Sequence, residues 1–510
     1  MSADIELKLA LSPQQLARLR AHSLVRGHSR AGSHRERLTK TYFDTPQLLL
    51  RDNAVALGVE RAGRRKLQTL ATTAGAEPLA QARIDGDQPD VRRILDPRWR
   101  KLLNHTKRDG GLTPVFTTEY ERSSLPLQID GSQINLALDV GHIRANGREQ
   151  PICEARLALV AGEPEQLYRL ALELHDSVPF HIQHRDTIMR GYSLVADEQP
   201  AVARARPSAI APQATIGAAF QALARDGFAH MCGNEDAVLR SGNPEAVHQM
   251  RVAVRRLRAL LSAFHAALDH DECTFMRGEL GWLQRQLGPA RDWDVFVHGT
   301  LAPLSEGLSQ EASLGDLRRA VEHSRHQAYG VAREALRDRR YTRFLLRFQL
   351  WLDATLWEGS TPSQPLGTPV SDFAVRILEK RYRKLRKLGD RFPSLSEEEM
   401  HEVRLRTKKL RYAAEFFHPL HAAKASSRFI KVLTRIQDTL GSLHDAVVGR
   451  DLLKLLTSPD SPDGATRSAA LERAIGVAAG FQAARIAGDI RRFGEVWPRF
   501  VKLKKFWRAG

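Results

Sequence analysis

A short basic pattern occurs twice in this chain, and its repetition restricts the fold more than any other feature. The first copy reads His248-Gln-Met-Arg251-Val-Ala-Val-Arg255-Arg256-Leu257-Arg258, the second His401-Glu-Val-Arg404-Leu-Arg406-Thr-Lys408-Lys409-Leu410-Arg411. A constant offset of 153 residues pairs His248 with His401, Arg251 with Arg404, Arg255 with Lys408, Arg256 with Lys409 and Arg258 with Arg411. The same offset carries Phe220 onto Phe373, Phe264 onto Phe417, Leu287-Gly288 onto Leu440-Gly441 and Asp292 onto Asp445. One shift that holds without net gap over about 70 residues is an internal duplication.

On a helix turning about 100° per residue, His248, Arg251, Arg255 and Arg258 fall within a wedge of roughly 80°. Met250, Val254, Leu257, Leu261 and Phe264 collect on the other side. No carboxylate lies between His248 and Arg258 to neutralise the cationic face. Like charges three and four residues apart weaken a helix by a few tenths of a kcal/mol per pair, so an anionic partner is expected to compensate. The candidate contacts are His248, Arg251, Arg255, Arg256 and Arg258 with His401, Arg404, Lys408, Lys409 and Arg411. A second basic run, Arg376, Lys380, Arg383, Lys384 and Lys387, follows helical spacing and reads either as additional contacts to that anion or as a solvated face.

Other chemistry fits these motifs less well. A divalent metal at His248 or His401 would sit among cations, without the Asp, Glu or Cys that metal sites employ. Asp292 and Asp445 follow Leu-Gly at helix junctions, where carboxylates cap helices or pair with arginine more often than they catalyse. Single-strand nucleic-acid sites add aromatic platforms between their cations. The first basic helix has none over 248–261, and Phe417 falls on the apolar stripe of the second. The terminal Lys502, Lys504, Lys505 and Arg508, with Phe506 and Trp507, read as a loose basic tail without a site.

A chain of 510 residues is too long for one core and implies two or three domains. No apolar run approaches the ~18–20 residues of a membrane span. The start, Met-Ser-Ala-Asp-Ile-Glu-Leu-Lys, lacks a charged-then-apolar export signal, so the expected location is the cytoplasm. Cys153, Cys232 and Cys273 lie far apart, which argues against a disulfide framework and a cysteine zinc site. Charge is uneven. Residues 1–200 carry 28 Lys and Arg against 25 Asp and Glu, whereas the remainder carries 49 against 34. A polyanion should therefore meet the C-terminal portion.

Residues 1–195 alternate with period two at 5–9, 54–60, 66–72, 115–121, 133–140 and 152–160, with turn signals at 108–111 and 129–132. One helix is expected at 164–176, opened by Glu163-Pro164. Many short strands with few helices predict a closed antiparallel barrel. Residues 196–215 are rich in Ala and Pro and read as a semi-rigid linker. From 216 onward the pattern is helical, with breaks near 241–244, 288–289, 358–362 and 458–462. Repeats of about 216–360 and 369–510 each have room for four helices, giving two bundles.

Asp4-Ile-Glu6-Leu-Lys8, Thr41-Tyr-Phe-Asp44-Thr-Pro46, Gln68-Thr-Leu70, Asp139-Val-Gly141 and Arg190-Gly-Tyr192 resemble the CYTH domain of triphosphate tunnel enzymes. The resemblance implies an eight-stranded antiparallel tunnel whose inward Lys and Arg hold a triphosphate. Its inward Glu residues would bind Mg²⁺ or Mn²⁺ for hydrolysis. Asp4, Glu6, Lys8, Arg61, Arg122, Glu154 and Arg190 survive from that pattern. Several members do not. Leu57-Gly58-Val59-Glu60 stands for a strand with two arginines, Ala71 for a lysine, and Glu154-Ala-Arg156-Leu-Ala158 keeps one glutamate of three. Losing charge-assisted contacts worth roughly 1.5–3 kcal/mol each implies a tunnel impaired in catalysis. If it were active, Glu6 and Glu154 would hold the metal.

The paired His-Arg helices, with Leu287-Gly-Pro-Ala-Arg291-Asp292 and Leu440-Gly-Ser-Leu-His444-Asp445, resemble a CHAD domain over about 216–510. That resemblance implies inorganic polyphosphate as ligand, with no cofactor, and association with polyphosphate granules. The fold expected is thus α+β and multidomain, a β-tunnel followed by duplicated four-helix bundles. Its expected function is polyphosphate binding. The alternatives are an inorganic triphosphatase acting on tripolyphosphate and a nucleic-acid binder.

Overall fold

The computed structural model describes residues 5–29, 34–63, 65–73, 78–106, 110–207, 209–268, 270–308, 313–357, 365–456 and 469–508. The chain forms two compact units, Met1–Pro200 with Arg337–Ala354, and Ala201–Leu336 with Thr355–Gly510.

The first unit is built on nine strands: β1 (Glu6–Ala10), β2 (His34–Asp44), β3 (Val55–Ala62), β4 (Arg65–Thr72), β5 (Pro78–Arg83), β6 (Thr113–Ile129), β7 (Ser132–Ala145), β8 (Arg148–Ala161) and β9 (His181–Ile182). They form one antiparallel sheet in the order β5-β4-β3-β2-β6-β7-β8-β1-β9. The expectation of a closed eight-stranded tunnel is corrected on both points. Among the described residues there are nine strands, and the end strands β5 and β9 do not pair with each other. The edges are poor templates for closure: β9 offers two residues against Leu9 and Ala10, and β5 opens on Pro78, which has no N–H to donate.

The long central strands follow from their turns. Asp130 and Gly131, both left-handed at φ 44° and 81°, join β6 to β7 as a two-residue hairpin. Asn146 and Gly147 do the same between β7 and β8. The helix expected at 164–176 is Pro164–Ser177. Helices at Pro13–Ala21, Pro97–His105 and Thr187–Ala196 were not expected, and they start at the capping side chains of Ser12, Asp96 and Asp186.

The helix Arg339–Asp353 departs from the expected layout. Its position within 216–360 placed it in the first helical repeat, yet it belongs to the sheet unit. It packs on Pro164–Ser177, where Arg339 donates to the carbonyls of His175 and Asp176, Arg343 pairs with Asp176, and the Tyr168 hydroxyl donates to Asp353 at 2.5 Å. Its stripe of Phe344, Leu345, Phe348, Trp351 and Leu352 is buried. Periodicity identifies such a stripe but not the surface that covers it.

In the second unit each copy contributes four principal helices. Ile216–Cys232, Pro244–Phe264, His270–Gln286 with its continuation Gly288–Phe296, and Leu314–Arg337 form the first set. Val370–Gly389, Glu397–Phe417, Ala423–Leu456 and Ala469–Val501 form the second, in the same order. The copies differ at the third helix. Pro289, which cannot donate to the preceding turn, lies just inside the break after Gln286, whereas Ser442 at the equivalent position lets Ala423–Leu456 run on. The expected break at 241–244 is a capped start, Asn243 accepting from Glu245 N with Pro244 in the first turn. The breaks at 358–362 and 458–462 lie outside the described residues.

The duplication meets itself in the core. Phe264 lies 5.6 Å from Phe220, 4.8 Å from Phe373 and 6.0 Å from Phe417 between ring centroids, so both offset-related pairs share one cluster. Phe264→Ala is expected to cost about 3–5 kcal/mol of the helical unit's stability, read by chemical denaturation. A loss below about 1 kcal/mol would mean that the two copies do not depend on this joint. The terminal segment is not a loose tail. Phe506 and Trp507 are buried, the Trp507 ring 5.1 Å from Phe429, and both Lys505 and the Trp507 indole donate to Glu379.

Candidate functional site

The helix Pro244–Phe264 buries Met250, Val254, Leu257, Leu261 and Phe264, the stripe expected from its sequence. Its counterpart Glu397–Phe417 starts at a capping box, Ser396 with Glu399, and the two helices pack together. Contact on the apolar side leaves the cations of both copies in one neighbourhood. Arg251 and Arg255 repel Lys408, and Arg251 is also repelled by Arg255, Arg291 and Arg404.

Arg251, Arg255, Arg404 and Lys408 are partly withdrawn from solvent. The Arg251 side chain keeps 14% of its exposure, donates to the Gln284 carbonyl at 3.1 Å and approaches Asp292 at 3.9 Å. The Nε atoms of Arg251, Arg255 and Arg404, and Nδ1 of His248, are buried without a hydrogen-bond partner. Burial pushes the Lys408 ammonium down to about 6, with Arg404 and Arg255 adding to the effect against Asp445. It also lowers Arg251 to about 10, His248 to about 4 and His444 to about 3, with neighbouring arginines adding to it in each case. Asp292 and Asp445 move up, because burial outweighs the arginines beside them. The cluster is short of negative charge, and each buried donor without an acceptor costs about 1–3 kcal/mol.

A polyanion would restore the Lys408 proton. Its pKa in the free protein is about 6, and a bound anion moves it back toward the ordinary lysine range. The complex then holds a proton that the free protein lacks between those two values. Affinity should rise as pH falls through that window and level off below about 6. Calorimetric titration of the full chain with long-chain polyphosphate near neutral pH, in buffers of different ionisation enthalpy, should register proton uptake. Lys408→Arg, which keeps the charge at all these pH values, should reduce that uptake. Binding without proton uptake would show that the ligand does not restore the Lys408 ammonium.

The remaining candidates divide. Arg258 donates to Gln284 Oε1 and Arg411 to Gln437 Oε1, each at 2.7 Å, and the offset maps one pair onto the other. Both arginines thereby tie their helix to the next one. Arg256 reaches Glu415 at 3.0 Å, and Arg411 pairs with the same carboxylate. His401 and Lys409 are exposed. Arg376, Lys380, Arg383, Lys384 and Lys387 lie on the exposed side of Val370–Gly389, where Arg383 stands 3.9 Å from Glu379. Three residues join the site that were not among the candidate contacts: Arg291 and His444, which stand in the two related motifs, and Arg485, which donates to Gly299 O at 2.8 Å and to Ser442 Oγ at 3.2 Å and acts on Asp445. The first two stand directly before Asp292 and Asp445, a signal the duplication itself contained.

The sheet unit gathers a second polar group. Register places Lys8 opposite Arg156, Glu154 and Arg122 opposite Asp139, and Lys40 opposite Glu60, all on one face. These charges satisfy one another. Lys8 pairs with Asp186, Arg190 with Glu154, Arg122 with Asp139 at 2.7 Å and Arg156 with Glu6 at 3.4 Å. Burial works to raise the Asp186 carboxyl, but Lys8 and the Ile188 backbone hold it below the usual range. Arg61 falls on the opposite face, beside Thr39 and Lys66, and does not join them. Asp4 lies outside the described residues.

Lys40 is the member that sequence reading missed. A Cβ at Gly58 would collide with its side chain, so Lys40 fills the space that an arginine at 58 would occupy. Burial lowers its pKa against the pull of Glu60 and Asp186. Ala71 lies on the same face, in an apolar cluster with Ala56, Phe116, Ile188 and Tyr192. Asp44 of the Tyr-Phe-Asp-Thr-Pro segment is fully buried, accepting from the backbone N–H of Thr45, Leu50 and Arg51 and from the Tyr192 hydroxyl. It organises the turn after β2.

Comparison with known proteins agrees with both halves. A family model for the CYTH domain matches residues 2–192, and one for the CHAD domain matches residues 222–454. The crystal structure of the CHAD domain from the plant Ricinus communis superposes with a TM-score of 0.52 at 29% identity, covering 60% of this chain and 98% of that one. An uncharacterized protein of Mycobacterium tuberculosis is 32% identical over 225 residues, covering 43% of this chain and 42% of its own length. An inorganic triphosphatase of Haemophilus influenzae is 26% identical over 200 residues, covering 38% of this chain and 55% of its own length. The chain thus spans about half or less of the curated relatives it matches. Residues 2–192 of this chain are a CYTH domain, and residues 222–454 are a CHAD domain.

Proposed function

We propose that this protein binds inorganic polyphosphate through the half-buried cation cluster of its helical unit. His248, Arg251, Arg255, His401, Arg404 and Lys408 would be the principal contacts, with Arg256, Arg258, Lys409 and Arg411 flanking them. One observation carries the reading. Buried Nε–H donors on Arg251, Arg255 and Arg404 have no acceptor, and phosphate oxygens are acceptors that also bring the missing charge. Aromatic residues of these helices, Phe264, Tyr412, Phe416 and Phe417, are buried and give no stacking platform, which favours a ligand made of phosphate alone over a nucleic acid. No cofactor enters this reading. A cytoplasmic location, with association with polyphosphate granules, belongs to it. No helix among the described residues is long and apolar enough to cross a membrane.

The test is titration of the full chain with long-chain polyphosphate and with single-stranded DNA over a range of salt. The full chain is needed because cutting after residue 200 would strip Arg339–Asp353 from the sheet unit. Tighter binding of polyphosphate supports the reading. Equal or tighter binding of DNA overturns it.

A second reading, hydrolysis of tripolyphosphate, draws on the CYTH domain and on the similarity to an inorganic triphosphatase. The donors available fit a divalent cation poorly. Glu6 and Glu154 are taken up by Arg156 and Arg190, and no group of three or more His, Cys, Asp or Glu among the described residues is placed to hold a metal. Lys8, Lys40, Arg122, Arg156 and Arg190 face Glu6, Glu36, Glu60, Asp139, Glu154 and Asp186, so the face has no surplus of positive charge for a triphosphate. Release of phosphate from tripolyphosphate with Mg²⁺ or Mn²⁺ is expected to be weak or absent. Turnover near the enzyme median of about 10 s⁻¹, abolished by Glu6→Ala, would reinstate the triphosphatase.

A further inference from the structure

Beside the cation cluster a cleft of about 340 Å³ opens between the helices Glu397–Phe417 and Ala423–Leu456. Arg404, a member of the cluster, lines it together with His401 and His444, whose rings stand 5.0 Å apart. The rest of the lining does not suit phosphate. Leu443, Val447 and Val448 form an apolar wall, and the exposed Glu398 and Asp451 put carboxylates at the opening. A phosphate chain entering here would lose hydration against the wall and meet like charge at the rim. What fits is an uncharged body with a flat apolar surface and N–H donors at its edge. Glu398 accepts from the Ser396 hydroxyl and Asp451 from Lys454, each at 2.8 Å, and both carboxylates have lone pairs to spare. The volume lies in the range of small-molecule sites, roughly 300–1,000 Å³.

The two copies treat this place differently. The offset maps Val447 onto Asp294, which is fully buried and held by Arg325 and by the Tyr329 hydroxyl, each at 2.8 Å. In the first copy the position fixes the helix Leu314–Arg337 to its neighbour. In the second it is a half-buried valine facing a cleft. At Val447 the wall therefore differs between the copies, next to a charge cluster that both copies build.

We infer that this cleft receives the base of a purine nucleoside polyphosphate whose phosphates lie on Arg404 and Lys408. The apolar wall and the two imidazoles would flank the ring, and the rim carboxylates would accept from its amino group. The inference rests on the cation cluster being a phosphate site and adds to it a ligand class with an organic end.

The experiment is calorimetric titration of the full chain with ATP, with GTP and with inorganic tripolyphosphate, in the wild type and in Val447→Trp, which fills the cleft and removes no cation. Wild type should bind at least one of the two nucleotides about tenfold or more tighter than tripolyphosphate. Val447→Trp should remove that advantage and leave affinity for long-chain polyphosphate within about twofold. Val448→Trp, on the same wall, serves if the first variant does not fold. Nucleotides that bind no tighter than tripolyphosphate overturn the inference, as does an advantage that survives the filled cleft. Long-chain polyphosphate that binds while nucleotides show no advantage removes the cleft alone. A nucleotide advantage that depends on Val447, without polyphosphate binding, removes the polyphosphate reading alone.

Discussion

Lys408→Met is expected to raise the thermal midpoint of the ligand-free chain and to weaken its binding of long-chain polyphosphate by about tenfold or more. Lys408 is half-buried beside Arg404, Arg255 and Arg251, with Asp445 as the opposing charge. Folding near neutral pH costs Lys408 its proton, a cost that an apolar side chain of similar length does not carry. The pH dependence has a definite sign. The Lys408 pKa is depressed to about 6 in the folded protein, so between that value and the ordinary lysine range the unfolded chain binds a proton that the native state does not. Stability should therefore rise with pH across that window. Lys408→Met should remove this share of the slope. Polyphosphate should stabilise wild type more than the variant, since the ligand supplies the charge the site lacks. The measurement is thermal unfolding over pH, with and without polyphosphate. A variant that melts lower than wild type in the absence of ligand, or binds as well, would show that Lys408 is not held under strain for a polyanion.

The second large effect concerns symmetry. Arg251→Gln with Arg255→Gln should weaken long-chain polyphosphate about as much as Arg404→Gln with Lys408→Gln. Two charge-assisted contacts at roughly 1.5–3 kcal/mol each predict a loss of about a hundredfold or more. The dependence of log affinity on log salt should flatten by about 1–2 units for either pair, because fewer counterions are released. The reason is placement: side chains from both helices act on one another, so one ligand meets both sets. Stability should change more than surface residues imply, because Arg251 is held by Gln284 and Asp292. If one pair abolished binding and the other left affinity and salt slope unchanged, the two faces would not share a ligand.

Much of this was written in the chain. A shift of 153 residues and a helical period placed the two cationic faces and their apolar backs, and Met250, Val254, Leu257, Leu261 and Phe264 are buried as that period requires. Hairpin chemistry was equally local, since Asp130-Gly131 takes the left-handed turn that its residue types favour. The departures from the tunnel pattern at Gly58, Ala71 and Arg156 were also legible. Their consequences were not. Lys40 fills the space over Gly58, and Ala71 lies in an apolar cluster with residues from other elements.

Sequence by itself determined which residues share a face, because that depends only on a period of 3.6 or 2 along one element. It therefore established the duplication, the two basic helices and the class of each half. Tertiary structure alone decided what each face meets. It turned a basic surface into a cluster with unpaired buried donors, brought Arg291, His444 and Arg485 to it, committed Arg258 and Arg411 to Gln284 and Gln437, and gave Arg339–Asp353 to the sheet unit. Burial and neighbouring charge come from elements far apart in the chain, and a pKa such as that of Lys408 has no counterpart in local sequence.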